Sequence, residues 1–454
     1  MTVEGLTINS LKKKDLLTLG FMMFSIYFGA GNLIFPPALG QAAGDHTLHA
    51  MLGFMTTGIG LPLLGITAIA LAGGEYVPLL HAKTWPRFAT VLLVILYLII
   101  GPLFAMPRTG AVSFEIGIRP FLSADNLALG QIIYTAIFFA SSYYLALNPN
   151  KIIDRVGRML TPALLIVLLI LFVQAFHAPL GAILPATGVY IDAPFAQGFQ
   201  DGYQTMDLLA SIAIGALVAN AVRMRGITDS RAVGAACLVS GLITVMLMAA
   251  VYGSLAYIGA TSTSVLGQAE NGGQILSAAV GIFFGSAGNL LLAVIIGLAC
   301  LTTCCGITSS AAMFFNKLLK GRVSYERLLL FSIMFSFAAS NVGLTQIIAL
   351  AIPFLVTIYP LIIVFVILSL FDRFIGWRKS IYQGAMALTL VFSLIDGLHA
   401  AGLSSEPVHA LLVAYIPFYN IMMGWVCPAV IGAFVGLAVS FFQTAPAAAK
   451  ESQV

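Results

Sequence analysis

The chain has 454 residues, of which 60% are hydrophobic and only 8% are charged, with a formal net charge of +4. A soluble domain carries about 25% charged residues to keep its surface hydrated. This composition therefore excludes a soluble enzyme and a nucleic-acid-binding protein, and it indicates a protein surrounded by lipid. The five cysteines lie in apolar runs without the spacing of a zinc site or a disulfide framework.

Twelve apolar windows are long enough to cross a bilayer as helices, which takes about 20 residues each. They lie at 15–43, 47–73, 88–114, 127–148, 158–178, 194–221, 232–259, 288–316, 325–341, 343–371, 380–401 and 411–442. With a cytoplasmic amino end, all of the 21 basic residues except Arg108 and Arg119 fall on the inner side. The positive-inside rule requires this asymmetry, so the sequence predicts twelve spans with both termini in the cytoplasm.

Windows 1 and 6 are interrupted near their centres by residues that form helices poorly. Segment 28–32 reads Phe-Gly-Ala-Gly-Asn, and segment 198–207 combines two glycines with glutamines and aspartates. Each glycine costs about 1 kcal/mol relative to alanine in a helix, and unwound backbone at membrane depth survives only where it is buried or lines a cavity. Glycine-rich packing between helices is the alternative, but packing does not require Asn32, Gln204 and Asp207.

The two interruptions occupy corresponding places, at the first helix of each five-helix half. Such a pair indicates an inverted-repeat transporter. The predicted fold is therefore an all-α polytopic membrane protein with 12 transmembrane helices. It has a 5+5 inverted repeat plus two extra carboxyl-terminal helices, with helices 1 and 6 unwound in mid-membrane. The predicted parts are a cytoplasmic amino end (1–14), two repeats (15–178 and 194–371), helices 11 and 12 (380–442) and a disordered cytoplasmic tail (445–454).

A helix interrupted in mid-membrane offers free N–H groups at one half-helix and free carbonyl groups at the other. The N–H end attracts a carboxylate, and the carbonyl end attracts an ammonium group or a sodium ion. A zwitterionic amino acid fits such a site without any charged side chain. Residues 260–287 are glycine- and serine-containing and nearly uncharged, and we expect an external loop with a short helix over the transport pathway.

Residues 17–24, 28–37, 101–109 and 202–207 carry a resemblance to a known family. On these segments the chain resembles the branched-chain amino acid:cation symporters, also called branched-chain amino acid transport system II carriers. The resemblance extends over essentially the whole chain. It implies that leucine, isoleucine and valine are imported across the bacterial cytoplasmic membrane by alternating access coupled to sodium. Nothing in the sequence calls for an obligate protein partner, or for a cofactor beyond the coupling ion.

A more distant resemblance is to sodium-coupled leucine transporters of the LeuT type. It rests on Gly31-Asn32 in window 1 and on the segment Gly-Ile-Thr-Ser-Ser at 306–310 in window 8. The resemblance implies one Na⁺ ion bound by the hydroxyls of Thr308 and Ser309 and by carbonyls of Ser25, Phe28 and Cys305. Oxygen ligands suit such a hard cation. The alternative is that both hydroxyls bond to the backbone of their own helix.

The candidate substrate-binding residues come from the two interruptions, together with one aromatic residue of window 3. They are Gly29, Ala30, Gly31, Asn32, Phe104, Gly202, Tyr203, Gln204, Thr205 and Met206. Of these, Phe104, Tyr203 and Met206, with Met106, could line an apolar pocket, although helix packing explains each of them equally well. One methylene is worth only about 1–3 kcal/mol in such a pocket, so we expect overlapping acceptance of leucine, isoleucine and valine.

Arg108 is the only basic residue predicted deep in a span, where a charge costs at least about 2.5–3.5 kcal/mol. It therefore needs a partner, and Asp207, Glu115 and Asp201 are candidates. One hypothesis is a structural Arg108–Asp207 pair that holds the unwound part of helix 6. The alternative is that Arg108 lies near the outer face and extends to water.

Several functions compete with sodium-coupled symport. A channel would favour rings of charged residues or repeated filter carbonyls, and an intramembrane enzyme would need a nucleophile–base pair or a metal triad. The sequence contains neither pattern. A proton-coupled carrier of another small neutral amino acid or a nucleobase stays open, with Asp207 as the protonated group.

Overall fold

The structure is a computed structural model and describes residues 13–72, 76–147, 149–227, 229–376, 378–404 and 406–442. Most of the predicted cytoplasmic amino end and the whole predicted tail lie outside these residues. All regular structure in the described ranges is helical, as the composition predicted. The amino-terminal half contains α1 Lys13–Tyr27, α2 Ala30–Ala43, α3 Thr47–Met55, α4 Leu61–Leu71, α5 Tyr76–Lys83, α6 Pro86–Leu98, α7 Ala105–Gly117, α8 Leu127–Ala146 and α9 Pro149–His177.

The remaining helices follow the same order as windows 6 to 12. They are α10 Pro194–Asp201, α11 Asp207–Arg223, α12 Ser230–Leu266, α13 Gly272–Leu318, α14 Tyr325–Ser340, α15 Leu344–Leu370, α16 Asp372–Ile375, α17 Lys379–Ala400, α18 Glu406–Tyr415 and α19 Val426–Phe442. Single π-helical turns at Thr56–Gly60 and Ile99–Leu103 join α3 to α4 and α6 to α7.

Within the described ranges, seven helical stretches are long and apolar enough to cross a membrane. The first, Ala30–Leu71, contains the second half of window 1 together with window 2, and the others correspond to windows 3, 4, 7, 8, 10 and 11. Windows 5 and 12 contain the shorter apolar helices Pro162–His177 and Val426–Phe442. Helix α14 of window 9 has 16 residues, and window 6 is divided between α10 and α11. The chain is a multi-pass membrane protein, and the number twelve stays a prediction.

The expected external loop at 260–287 is wrong in extent. Helix α12 continues to Leu266, and α13 begins at Gly272, so only residues 267–271 are non-helical. Asn271 explains the early start of α13, because its side-chain oxygen accepts hydrogen bonds from the N–H groups of Gly273 and Gln274. Gly285 (φ 63°) then kinks α13, so the residues from Gly272 to Phe284 form a helical segment of their own; its place over the transport pathway stays a prediction.

Apolar side chains cover both the interior and the outer surface of the molecule. Exposed examples on α8, α9, α14 and α19 include Ile137, Val173, Phe331 and Phe434, as expected of faces that contact lipid. The interior also contains charged and polar residues, among them Asn32, Arg108 and Asp207. Because such groups are costly within a membrane, their location in the interior marks a candidate functional centre.

The connection between α18 and α19 packs against the first half of window 6. Phe418 (φ 65°) and Met422 (φ 53°) both adopt left-handed backbone conformations on either side of a 3₁₀ turn. The side-chain amide of Gln200 in α10 donates a 2.7 Å hydrogen bond to the carbonyl of Ile421 in this connection. The connection between the last two helices therefore contacts the interrupted helix directly.

Candidate functional site

The interruption in window 1 separates α1 from α2 at two residues. Phe28 and Gly29 lie between the end of α1 at Tyr27 and the start of α2 at Ala30. The Gly29 N–H donates to Oδ1 of Asn32, 3.3 Å away, so the Asn32 side chain closes the start of α2. Asn32 is buried, which places its amide where it can also reach the second interruption.

The interruption in window 6 separates α10 from α11. A 3₁₀ turn at Gly202–Thr205 follows α10, and Met206 then adopts a left-handed conformation (φ 62°, ψ 13°) before α11 begins at Asp207. Positive φ is uncommon for a residue other than glycine. Such strain persists only where the surrounding structure imposes it, and the Asp207 N–H contributes by donating to Oγ1 of Thr205 at 3.3 Å.

Asn32, Asp207 and Tyr252 connect the two interruptions to α12. The Asn32 amide donates to Oδ2 of Asp207 at 2.7 Å and also hydrogen bonds to the Tyr252 hydroxyl. The Tyr252 hydroxyl lies 3.4 Å from the same carboxylate oxygen. All three residues are buried. A single polar cluster thus joins α2, α11 and α12, and a displacement of one helix has to rearrange the other two.

The Arg108 guanidinium binds the carbonyl end of the first half-helix of window 6. Nη1 donates to the Gln204 carbonyl at 2.5 Å, and Nη2 lies 3.5 Å from the Thr205 carbonyl. Arg108 is only 5% exposed, so the alternative of a side chain that extends to water is wrong. The guanidinium also lies over the Phe35 ring, 5.2 Å from its centroid, a favourable cation–π position.

The hypothesis of a direct Arg108–Asp207 pair needs correction. In the part of the chain that the structure describes, the ion pairs are Lys83–Asp372 and Arg119–Glu115. Asp201, the third candidate partner, instead hydrogen bonds to the side chains of Tyr190 and Gln197. Carbonyls replace the carboxylate as partners of Arg108 because the end of a helix carries partial negative charge.

The absence of a side chain at Gly31 makes room for this arginine. A Cβ atom added to Gly31 would lie 2.8 Å from Nη2 of Arg108 and 3.1 Å from its Cζ. The predicted substrate-site glycine therefore contacts the guanidinium, and through it the Gln204 carbonyl. The structure in this way brings residues 29–32 and 204–207 together around Arg108.

Several buried polar atoms beside this cluster have no hydrogen-bond partner among the described residues. They are Oε1 of Gln204, Nε of Arg108 and the hydroxyls of Tyr203 and Tyr359. The two tyrosine rings are stacked, with centroids 4.3 Å apart. Buried polar atoms are nearly always hydrogen bonded, and this set combines donors and acceptors that suit both ends of an amino acid.

The predicted apolar pocket residues divide between two regions. Phe104, Tyr203 and Met206 belong to one buried cluster, which also contains Tyr359, and the Phe104 ring packs against Phe354 with a centroid distance of 5.2 Å. Met106 belongs to a different cluster. Met106 instead lies against Thr308, with its Sδ 3.5 Å from Oγ1 of that residue.

The predicted sodium ligands on α13 make contacts both within α13 and with other helices. Thr308 Oγ1 donates to the Cys304 carbonyl at 2.6 Å and lies 3.5 Å from Sδ of Met106. Cys305 Sγ lies 3.6 Å from the Ser142 carbonyl. Ser309 Oγ is buried, with no hydrogen-bond partner in the described chain. Thr308 therefore makes the bond to its own helix that the alternative predicted.

A different threonine of α13 meets the first interruption. A Cβ added to Gly29 would lie 3.4 Å from Cγ2 of Thr303. Thr303 points roughly 120–140° away from Thr308 and Ser309 around the helix. The structure thus places Ser25 and Phe28 at the end of α1, and it turns Thr303 rather than Thr308 toward the interruption that follows.

Sequence reasoning missed Tyr252, Tyr359 and Thr303. Each lies in a predominantly apolar helix, where a helix-packing role is the default for a tyrosine or threonine. Periodicity could have placed Thr303 on one face of α13. No signal within the sequence could have shown that this face meets Gly29.

Comparisons with known proteins identify the family of the chain. Residues 12–443 match the family described as branched-chain amino acid transport protein. The branched-chain amino acid permease BraB of Bacillus subtilis (strain 168) is 46% identical over 96% of this chain and 97% of its own length. The branched-chain amino acid transport system 2 carrier protein of Pseudomonas aeruginosa is 44% identical over 92% of this chain and 94% of its own.

Solved structures with a similar fold are transporters of the LeuT type. Mhp1, a nucleobase-cation-symport-1 family transporter in a closed conformation, superposes with a TM-score of 0.58 at 13% identity and covers 94% of this chain and 92% of its own. MhsT in complex with L-phenylalanine superposes with a TM-score of 0.55 at 16% identity and covers 95% and 98%. These likenesses confirm the predicted fold type. The chain belongs to the branched-chain amino acid transport protein family, and it is a transporter rather than an enzyme.

Proposed function

We propose that the protein imports leucine, isoleucine and valine across a bacterial cytoplasmic membrane by sodium-coupled symport. Transport proceeds by alternating access between two inverted five-helix repeats within a twelve-span molecule whose termini are cytoplasmic. The observation that carries the proposal is the meeting of both helix interruptions at one buried polar centre, where the Asn32 amide donates to Asp207. The permease and carrier names of the relatives supply the substrate class.

The polar ends of an amino acid match the chemistry of this centre. The N–H groups at the start of α2 attract its carboxylate. The side-chain oxygen of Gln204, which is buried and without a partner among the described residues, can accept a hydrogen bond from its ammonium group. Phe104, Tyr203 and Met206 supply apolar contacts for a branched side chain. Such contacts discriminate weakly between leucine, isoleucine and valine.

The coupling ion is the second part of the proposal. A sodium site formed by Ser25, Phe28, Cys305, Thr308 and Ser309 would require α1 to approach the face of α13 that bears the last two residues. A neutral amino acid that enters with one Na⁺ ion carries one net charge inward, worth about 2.3 kcal/mol per 100 mV. This alone sustains a gradient of roughly fifty-fold, because each 1.4 kcal/mol corresponds to a factor of ten.

The decisive experiment measures uptake of radiolabelled leucine into proteoliposomes under a sodium gradient, a proton gradient or no gradient. We expect accumulation driven by sodium and competed by isoleucine and valine. Thr308→Ala and Ser309→Ala should abolish the sodium dependence. Ser254→Ala is a matched control, because this hydroxyl bonds only to its own helix, at the Ala250 carbonyl. A loss in Thr303→Ala alone would instead place the ion on the face of α13 that meets Gly29.

Proton coupling through Asp207 is the second candidate, favoured by a buried carboxylate at the junction of both interruptions. Uptake driven only by a proton gradient, and made independent of that gradient in Asp207→Asn, would select this mechanism. No leucine uptake under any gradient would contradict the substrate and point to another small neutral ligand. The fold and the family would be unaffected by that result.

A further inference from the structure

The carbonyl end of the first half-helix of window 6 is bound by a side chain of the protein itself. In an interrupted membrane helix, the last carbonyls carry partial negative charge and ordinarily coordinate a cation. Here the Gln204 carbonyl accepts a 2.5 Å hydrogen bond from Nη1 of Arg108, and Nη2 lies 3.5 Å from the Thr205 carbonyl. The guanidinium therefore occupies the position that a free cation would take.

The opposite end of the same interruption has a charge of the opposite sign. Asp207 is the first residue of α11, where the start of a helix carries partial positive charge. Its carboxylate is bound by Asn32 and Tyr252 rather than by Arg108. Each group thus lies at the helix end whose partial charge is opposite to the charge of its ionised form.

The surroundings of the guanidinium form a closed cradle. The backbone of Gly31 borders it on one side, at a distance that excludes a Cβ atom there. The Phe35 ring borders it as a cation–π partner, with a separation of 5.2 Å. Arg108 is buried, so water does not compete for the two carbonyls. A flat cation fits this space better than a spherical ion does.

We propose that Arg108 is a tethered cation, which fills a cation site at the break of helix 6 that would otherwise bind a free ion or the ammonium group of the substrate. The proposal rests on the proposed function in assigning this break to the transport site. It follows that the substrate ammonium group is bound elsewhere in the centre. It also follows that removal of the side chain exposes a site for a small planar cation.

Binding of guanidinium to purified Arg108→Ala tests the site without requiring any transport. We expect millimolar guanidinium chloride to raise the thermal unfolding temperature of this variant in a saturable manner. The wild-type protein and Arg119→Ala, which removes an arginine that pairs with Glu115, should show no rise. Urea is the matched neutral probe because it is also planar and nearly the same size. Equal stabilisation by urea, or none by guanidinium, would overturn the proposal.

Leucine uptake provides the second readout. Loss of hydrogen bonds from a charged group should reduce uptake by Arg108→Ala by about ten- to a hundred-fold. Guanidinium should restore part of it and urea should not, and Arg108→Lys should retain more uptake than Arg108→Gln. If Arg108→Ala does not fold, the folded yields of the Lys and Gln variants decide, and equal yields would contradict a role for the charge. Failure of the wild-type protein to transport leucine would refute the proposed function and leave the guanidinium-binding result standing.

Discussion

Arg108 and Asp207 have opposite charges and lie in one buried centre, yet each is bound by uncharged partners. The sequence predicted that the buried Arg108 needs a partner, and it predicted that this partner lies in the second interruption. It could not show that this partner is a pair of backbone carbonyls, because every residue has a carbonyl. The sequence also could not predict which face of α13 meets the first interruption. The predicted sodium ligands depend on the rotation of this helix about its axis, which only packing determines.

Gly31 is the residue at which the space for the guanidinium can be tested. A methyl group at this position would overlap Nη2 of Arg108, at 2.8 Å, and would displace its hydrogen bonds to the carbonyls. We expect Gly31→Ala to lower the initial rate of leucine uptake about tenfold, equivalent to a loss of about 1.4 kcal/mol. Proteoliposome uptake at matched protein amounts measures this effect.

Gly253 provides the control for that substitution. It is also a helical glycine, in α12, but a Cβ atom there would have no neighbour within 4 Å. Gly253→Ala should leave uptake unchanged, because a helix interior tolerates alanine better than glycine. Equal losses in the two variants would show that the effect at Gly31 is not steric.

Among the helices, the interruptions are the elements that the sequence located best. Glycine and polar residues in an apolar window predicted breaks at 28–32 and 198–207. The structure has non-helical residues at 28–29 and a 3₁₀ turn followed by a left-handed Met206 at 202–206, whereas unwinding in mid-membrane stays a prediction. The extent of the loop after α12 was predicted less well. Its small, uncharged residues have the composition of a loop, and only the Asn271 cap and packing against α2 make them helical.

A buried ion pair joins the short helices α5 and α16, and substitutions at its two residues test how much charge pairing stabilises the fold. Lys83, at the end of α5, donates to Asp372 of α16 at 2.8 Å, and both side chains are more than 90% buried. Removal of one partner of a buried pair leaves an uncompensated charge and costs about 3–5 kcal/mol. We therefore expect Lys83→Met to lower the thermal unfolding temperature of the purified protein substantially.

The double variant Lys83→Met, Asp372→Asn should recover most of that loss, because no buried charge then remains. Lys317→Met, at an exposed position of α13, should change stability by less than about 0.5 kcal/mol. If the double variant is as unstable as the single one, the contribution of Lys83 comes from packing over the Tyr382 ring and not from charge pairing.

At the scale of the whole molecule, the charge that crosses the membrane with the substrate determines how transport responds to voltage. In the proposed symport the substrate is a zwitterion, so the coupling cation supplies the moving charge. We expect an inside-negative potential imposed with potassium and valinomycin to increase sodium-dependent leucine uptake, by up to roughly fifty-fold per 100 mV at equilibrium. Uptake that ignores the imposed potential would show that no net charge moves with the substrate.

The contact between Gln200 and Ile421 also has a consequence for how the protein is made. The two residues are 221 positions apart, and chains are synthesised from the amino end, with early segments folding first. Both interruptions have therefore left the ribosome long before the residues that brace the second one exist. During this interval the break in helix 6 lacks its support from the α18–α19 connection. The support for the second interruption from the α18–α19 connection is therefore added only near the end of translation.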